Sequence, residues 1–178
     1  MLAHMFPGDQ SSWFSYARRL QNEGYMVLTF NFRGYGDSQG KKDVALTPRD
    51  VKGALRFMAS KGAAKIAVVG ASMGGTAALV TVSENSVAGV VSLSSPAKFK
   101  GLDAAGVVSK ITSPMLFVAA TDDGESADYA ELLYKSSGDP GAGLELVPGK
   151  AHGTSLLEGD TGDRVRPMVE KFLKESFE

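Results

Sequence analysis

Short apolar runs alternate with amphipathic stretches along the whole chain. The runs are Met1–His4, Tyr25–Phe32, Lys65–Val69, Ala88–Ser94, Met115–Ala120 and Leu144–Val147. They are rich in β-branched residues and apolar at consecutive positions, the pattern of strands buried on both faces. Between them the period changes. Trp13, Tyr16, Ala17 and Leu20 fall at i, i+3, i+4 and i+7, one helical stripe that Gly24 ends. Val51, Ala54, Leu55 and Met58 form a second stripe, and a third helix is predicted from Gly74 to about Asn85. Ser126 to Ser137 reads as a helix stopped by Gly138, and Asp163 to Phe177 as a last one. Its apolar side is Val165, Met168, Val169, Phe172 and Leu173, with Pro167 tolerated as a first-turn residue.

Helix starts are marked by polar residues. Ser11 or Ser12 is a candidate cap for the first helix. Thr47-Pro48-Arg49-Asp50 combines a capping threonine, a first-turn proline and a capping-box acid. Ser95 to Thr112 is a mixed connection with a short helix expected near Leu102 to Val108.

Strand–helix alternation of this kind predicts an α/β fold with a mostly parallel sheet of about six strands and helices on both faces. The whole chain, residues 1–178, reads as a single domain without linker, repeat or low-complexity tract. In such sheets ligands bind beyond the carboxyl ends of the strands. Met5-Phe6, Ser72, Asp123 and His152 all follow strand ends, so four loops converge on one edge.

Composition narrows the partners. The net charge is −1 and no Lys or Arg run stands out, which argues against nucleic acid or an anionic membrane. With no cysteine, disulfide and thiolate chemistry are excluded. Two histidines, His4 and His152, make a transition-metal cage unexpected, and no cofactor is implied. No apolar run approaches the ~20 residues of a membrane span. A cytoplasmic location is the expectation.

The chemistry centres on Gly70-Ala71-Ser72-Met73-Gly74-Gly75, between a strand and a helix. A serine in a sharp strand-to-helix turn needs small neighbours, and its Oγ is thrust out above the sheet. The helix N-terminus behind it offers free N–H groups to an anion. A dinucleotide cradle is the rival reading, but the stretch is not G-x-G-x-x-G, and the next strand ends Ser92-Leu93-Ser94 without an acid for a ribose.

Across essentially its whole length the chain resembles an α/β-hydrolase, in the dienelactone hydrolase-like or small serine esterase part of that superfamily. The residues that carry the resemblance are His4-Met5-Phe6-Pro7-Gly8, Arg33-Gly34-Tyr35-Gly36-Asp37-Ser38, Gly70 to Gly75, Ala120-Thr121-Asp122-Asp123 and Ala151-His152-Gly153. The order Ser, acid, His is that of the fold. The family usually has His-Gly where this chain has His4-Met5, and usually begins with further strands. Loss of those strands would leave the run at Tyr25–Phe32 on the sheet edge, a template for self-association. The Ser95–Thr112 connection is too short for the cap domain that many relatives insert there.

The resemblance implies a serine hydrolase that cleaves small carboxylic esters through an acyl-enzyme on Ser72. His152 is the only histidine after Ser72 and would be its base. The orienting acid falls on Asp123, with Asp122 and then Asp103 as alternatives. The oxyanion would be held by the N–H of Met73 and, by resemblance, that of Phe6. Phe6, Met73, Phe99 and Leu102 are expected to wall an open cleft. His4 and the Arg33–Ser38 turn read as structural. A thioesterase or acyltransferase using the same residues, or a catalytically silent binding module, are the alternatives.

Overall fold

The computed structural model describes residues 1–178. In chain order the strands are β1 (Leu2–Ala3), β2 (Thr29–Phe30), β3 (Ala67–Ala71), β4 (Gly89–Leu93), a small antiparallel pair β5 (Lys98–Phe99) and β6 (Leu102–Asp103), then β7 (Met115–Ala120) and β8 (Gly143–Val147). Six of them form one sheet in the order β2-β1-β3-β4-β7-β8. Every pairing in it is parallel, and β2 lies on its edge. The helices are α1 (Phe14–Asn22), α2 (Thr47–Ser60), α3 (Met73–Val82), α4 (Ser126–Lys135) and α5 (Gly159–Phe177).

The near-continuous apolar strands are explained by two cores, one on each face. Along β7, Met115, Phe117 and Ala119 pack on one side, with Ala54 of α2, Leu79 of α3 and Leu133 of α4. Leu116, Val118 and Ala120 pack on the other, with Leu20 of α1 and Val165, Val169 and Leu173 of α5. A period-2 strand with both faces covered must be apolar at every position, which is why the pattern looks unbroken. Burial of each Val, Leu, Phe or Met side chain among them contributes roughly 1.5–3 kcal/mol.

The helix starts differ from the sequence expectation. Asp9, not Ser11 or Ser12, caps the first turn, accepting from the Ser11 N–H at 2.8 Å. Asp43 does the same for a short 3-10 turn, Val44–Leu46, that runs straight into α2. Thr47 is therefore already inside the helical run, where its hydroxyl donates back to the Val44 carbonyl (2.7 Å). Asp50 is drawn away to Arg33, which grips it through Nη2 (2.7 Å), Nε and the backbone N–H. That pair fastens the loop after β2 onto α2.

Two further stretches differ. The helix expected near Leu102–Val108 is the β5–β6 hairpin followed by a 3-10 turn, Val108–Lys110. Lys100 and Gly101, both with positive φ, turn the chain back before a helix can form. The last helix starts at Gly159, so Pro167 lies well inside it. Pro167 is on the exposed side, where water can bond the Asp163 carbonyl that the missing N–H leaves free. No helix is long and apolar enough to cross a membrane. No cap domain interrupts the sheet; the only structure between β4 and β7 is the hairpin and its 3-10 turn.

Candidate active site

Ser72 stands between β3 and α3 with φ 48° and ψ −119°, a backbone conformation that L-residues other than glycine avoid. The turn is held by close approaches that only glycine permits. A Cβ on Gly70 would lie 2.5 Å from Gly75 Cα. One on Gly74 would strike the carbonyl oxygen of Ala3 and lie 2.6 Å from that of His4. One on Gly75 would strike Ser95 Oγ. The glycines thus do two things: they let the chain turn at Ser72, and they let the loop after β1 rest on the start of α3. The Ser72 N–H donates to the Leu93 carbonyl of β4 (2.8 Å), and its own carbonyl receives the first N–H groups of α3. Ser72 is 7% exposed. Oγ is not engaged; the only hydrogen bonds at Ser72 are those of its backbone.

The β7–β8 ladder continues past the strands, with Thr121 N–H on Val147 O (2.9 Å) and Asp122 N–H on Gly149 O (2.8 Å). It carries the loop of His152 beside that of Asp123. His152 Nδ1 and Asp123 Oδ2 are 2.7 Å apart. The imidazole is then the Nδ1–H tautomer, with Nε2 free to accept. Asp122 is exposed, and its carboxylate meets only the Thr121 hydroxyl, at 3.4 Å. Asp103 is engaged in the hairpin by Lys98 (3.0 Å) and the Gly106 N–H (2.9 Å).

The His152 loop is seated against the turn of Ser72. Gly153, with φ 58°, lies so close that a Cβ there would be 3.4 Å from Ala71 Cβ and 2.7 Å from Met5 Sδ. Met5, in the loop after β1, thus packs against the histidine loop, and Thr154 Oγ1 also approaches its sulfur (3.9 Å).

His4 is fully buried. Its Nε2 accepts the Phe32 N–H (3.1 Å), so its Nδ1 carries the proton and donates to Met5 O (2.9 Å). Burial holds its pKa below the ordinary histidine value, against the opposing pull of the Met5 carbonyl and Asp9. The ring lies edge-on to Phe32 and Tyr35. Neither of its nitrogens is available for chemistry at Ser72.

The four expected cleft residues separate. Met73 and Leu102 are 0% and 4% exposed and belong to the packed core, while Phe6 is 38% exposed and Phe99 half-buried. Phe6 and Phe99 meet edge to face at 5.9 Å, and Phe6 also meets Tyr35 at 6.4 Å. Tyr35 lies in the Arg33–Ser38 turn expected to be structural, and Lys42 and Lys100 carry no sequence expectation. The available signal for Lys100 is the Lys100-Gly101 pair between Phe99 and Leu102, a weak hairpin mark. The largest cleft, about 720 Å³, is lined by Trp13, Arg19, Glu158 and Arg166 among others and by none of Ser72, Asp123 or His152. It holds no paired nucleophile and base, so size does not locate the chemistry here.

A family model described as the alpha/beta hydrolase fold matches residues 1–133. No curated protein matches the chain. Solved structures do. A lipase-esterase related protein of Clostridium acetobutylicum superposes with a TM-score of 0.79 at 17% identity, over 96% of this chain and 92% of that one. An esterase of Pyrococcus furiosus gives 0.79 at 19% identity, over 98% and 80%. The enol-lactonase of Burkholderia xenovorans gives 0.78 at 16%, over 97% and 90%.

Proposed function

The chain belongs to the α/β-hydrolase fold family, and on that premise we propose that it is a serine hydrolase cleaving carboxylic esters of small acyl groups. The observation that carries the reading is the His152–Asp123 pair, at 2.7 Å, on a loop packed against the strained turn of Ser72. Ser72 Oγ attacks the ester carbonyl while His152 Nε2 takes its proton. Asp123 holds the imidazole in the Nδ1–H tautomer and stabilises the imidazolium. The tetrahedral oxyanion is received by the N–H groups of Met73 and Phe6. The imidazolium then protonates the leaving alkoxide, and an acyl-enzyme remains on Ser72. Water, deprotonated by His152, attacks the acyl carbon; Ser72 leaves and regains its proton.

Substrate size follows from the walls. Phe6, exposed, and Phe99, half-buried, are the apolar groups left to wall the cleft, and no cap closes over them. A methylene gains about 0.8 kcal/mol only where walls enclose it. Esters from acetate to butyrate should therefore exceed octanoate in kcat/KM. The test is a profile of acyl esters, acyl thioesters and lactones, alongside labelling with a fluorophosphonate probe. Labelling lost in Ser72→Ala and turnover of short esters support the reading. Labelling that survives Ser72→Ala would overturn it.

A further inference from the structure

β5 and β6 pair Phe99 with Leu102, which leaves Lys100 and Gly101 as a two-residue turn. Their φ angles are 44° and 91°. A hairpin turn with two positive φ values favours Asn, Asp or Gly at its first position, because a Cβ is strained there. Lysine is a poor choice for the backbone, and strain of this kind points to a use for the side chain. The Lys100 ammonium lies 3.9 Å from the centroid of the Phe6 ring and 5.5 Å from that of Phe99. Phe6 meets Tyr35, and over the Tyr35 ring, at 4.5 Å, lies the ammonium of Lys42.

Neither ammonium has a carboxylate within 4.0 Å; the hairpin's own acid, Asp103, is taken by Lys98 at 3.0 Å. Two unpaired cations thus stand on neighbouring rings of one aromatic row. Its middle ring is Phe6, the residue to which the proposed mechanism gives an oxyanion N–H. Aromatic faces hold an ammonium without neutralising it. A carboxylate brought there would form a charge-assisted contact and would be drawn in from solution.

We propose that Lys100, with Lys42 beside it, forms a subsite for an anionic group on the substrate, so that the preferred substrates are short esters carrying a carboxylate. The inference rests on the reading of Ser72 as nucleophile and adds the substrate's charge. Because both lysines are exposed, the preference is modest and salt-sensitive.

The experiment compares 4-nitrophenyl hemiglutarate with 4-nitrophenyl butyrate, which differ by a carboxylate on the acyl side. A second pair, 4-acetoxybenzoate and 4-acetoxybenzamide, places it on the alcohol side. The wild type should favour the acid in at least one pair, and 0.5 M NaCl should erase the preference. Lys100→Asn, which suits the turn and so keeps the fold, should lower kcat/KM for that acid about 2- to 5-fold through KM, an exposed charge contact's share. Its neutral partner should be unchanged, and Lys100→Arg should restore the preference. Equal effects on acid and neutral substrate, or none on either, would overturn the subsite. Loss of the subsite with Ser72-dependent turnover intact would leave the hydrolase reading standing. Glutarate binding, followed by NMR shifts, gives a readout free of turnover. Binding that is weakened by Lys100→Asn supports the proposal, and no binding, or binding indifferent to it, counts against it.

Discussion

Gly153 and Ala71 lie at contact distance, a Cβ built on one falling 3.4 Å from the Cβ of the other. One is the residue after His152 and the other the residue before Ser72, so this contact sets how the two loops face each other. Gly153→Ala would force a side chain at φ 58° and into Met5 Sδ. We expect the melting temperature to fall by a few degrees and kcat on an activated short ester to drop about 10- to 100-fold, as for a misplacement near 1 Å. Shortening Met5 to alanine in the same chain should recover part of the loss. Thermal melts and steady-state kinetics check both.

Ser72→Ala should lower kcat by roughly 10⁴–10⁶, leaving only oxyanion and binding effects. His152→Ala should be nearly as severe, and the double variant little worse than either. Losses that multiply would show that the two side chains act independently.

The two neighbouring aspartates should separate cleanly. Asp123→Asn removes the carboxylate 2.7 Å from His152 Nδ1 and should reduce kcat by up to about 10⁴. Asp122→Asn changes an exposed group and should stay within about threefold, the range expected for a surface substitution. Equal losses in the two variants would remove Asp123 from the role given to it.

His4 predicts a pH effect on stability rather than on catalysis. Its pKa is lowered in the folded chain, chiefly by burial, so between that value and the ordinary 6.5 the unfolded chain binds more protons. Stability should be fully present above about pH 6.5 and should fall as the pH drops toward the folded value. Protonation also destroys the acceptor for the Phe32 N–H. Denaturant midpoints measured from pH 7.5 to 5 should show this slope, and His4→Gln should flatten it.

The edge strand carries the last prediction. Leu28 gives its carbonyl to Leu2, so the neighbouring Thr29 turns its backbone groups outward. Gln10 reaches this edge at Thr29 Oγ1 and, through its N–H, at Asn31 Oδ1. Met26, 55% exposed, stands just before it. Unpaired strand edges with apolar side chains template association. Light scattering should show mass rising with concentration, and Met26→Lys should suppress the rise. A concentration-independent monomer would count against it.

The fold and the site were legible to different depths. The strands of the inner sheet could be read because both faces are covered, which forces an apolar residue at each step of β3 and β7. The turn at Ser72 announced itself through its glycines, and Asp123 and His152 through their places after β7 and β8. What the sequence concealed depends on tertiary partners. Asp50 looks like a cap from its neighbours, yet Arg33 takes it from a distant loop. Asp9 and Asp43 cap turns that local apolar periodicity does not reveal. Met73 and Leu102 were expected to wall the cleft, but α3 and the hairpin turn them into the core. The row Tyr35–Phe6–Phe99 joins two loops and the hairpin, and no spacing in one chain can encode it.

Apart from the glycines, three residues have left-handed φ angles: Ser72, Ser94 and Lys100. All three belong to the stretch that runs from the turn of Ser72, past the end of β4, to the hairpin. Every other left-handed φ belongs to a glycine, already relaxed. A library selected for heat resistance alone should therefore drift first at these three positions, toward Gly or Asn. The survivors would be sturdier proteins with a blunted centre, and the order in which the three residues are lost would rank how much each matters to turnover.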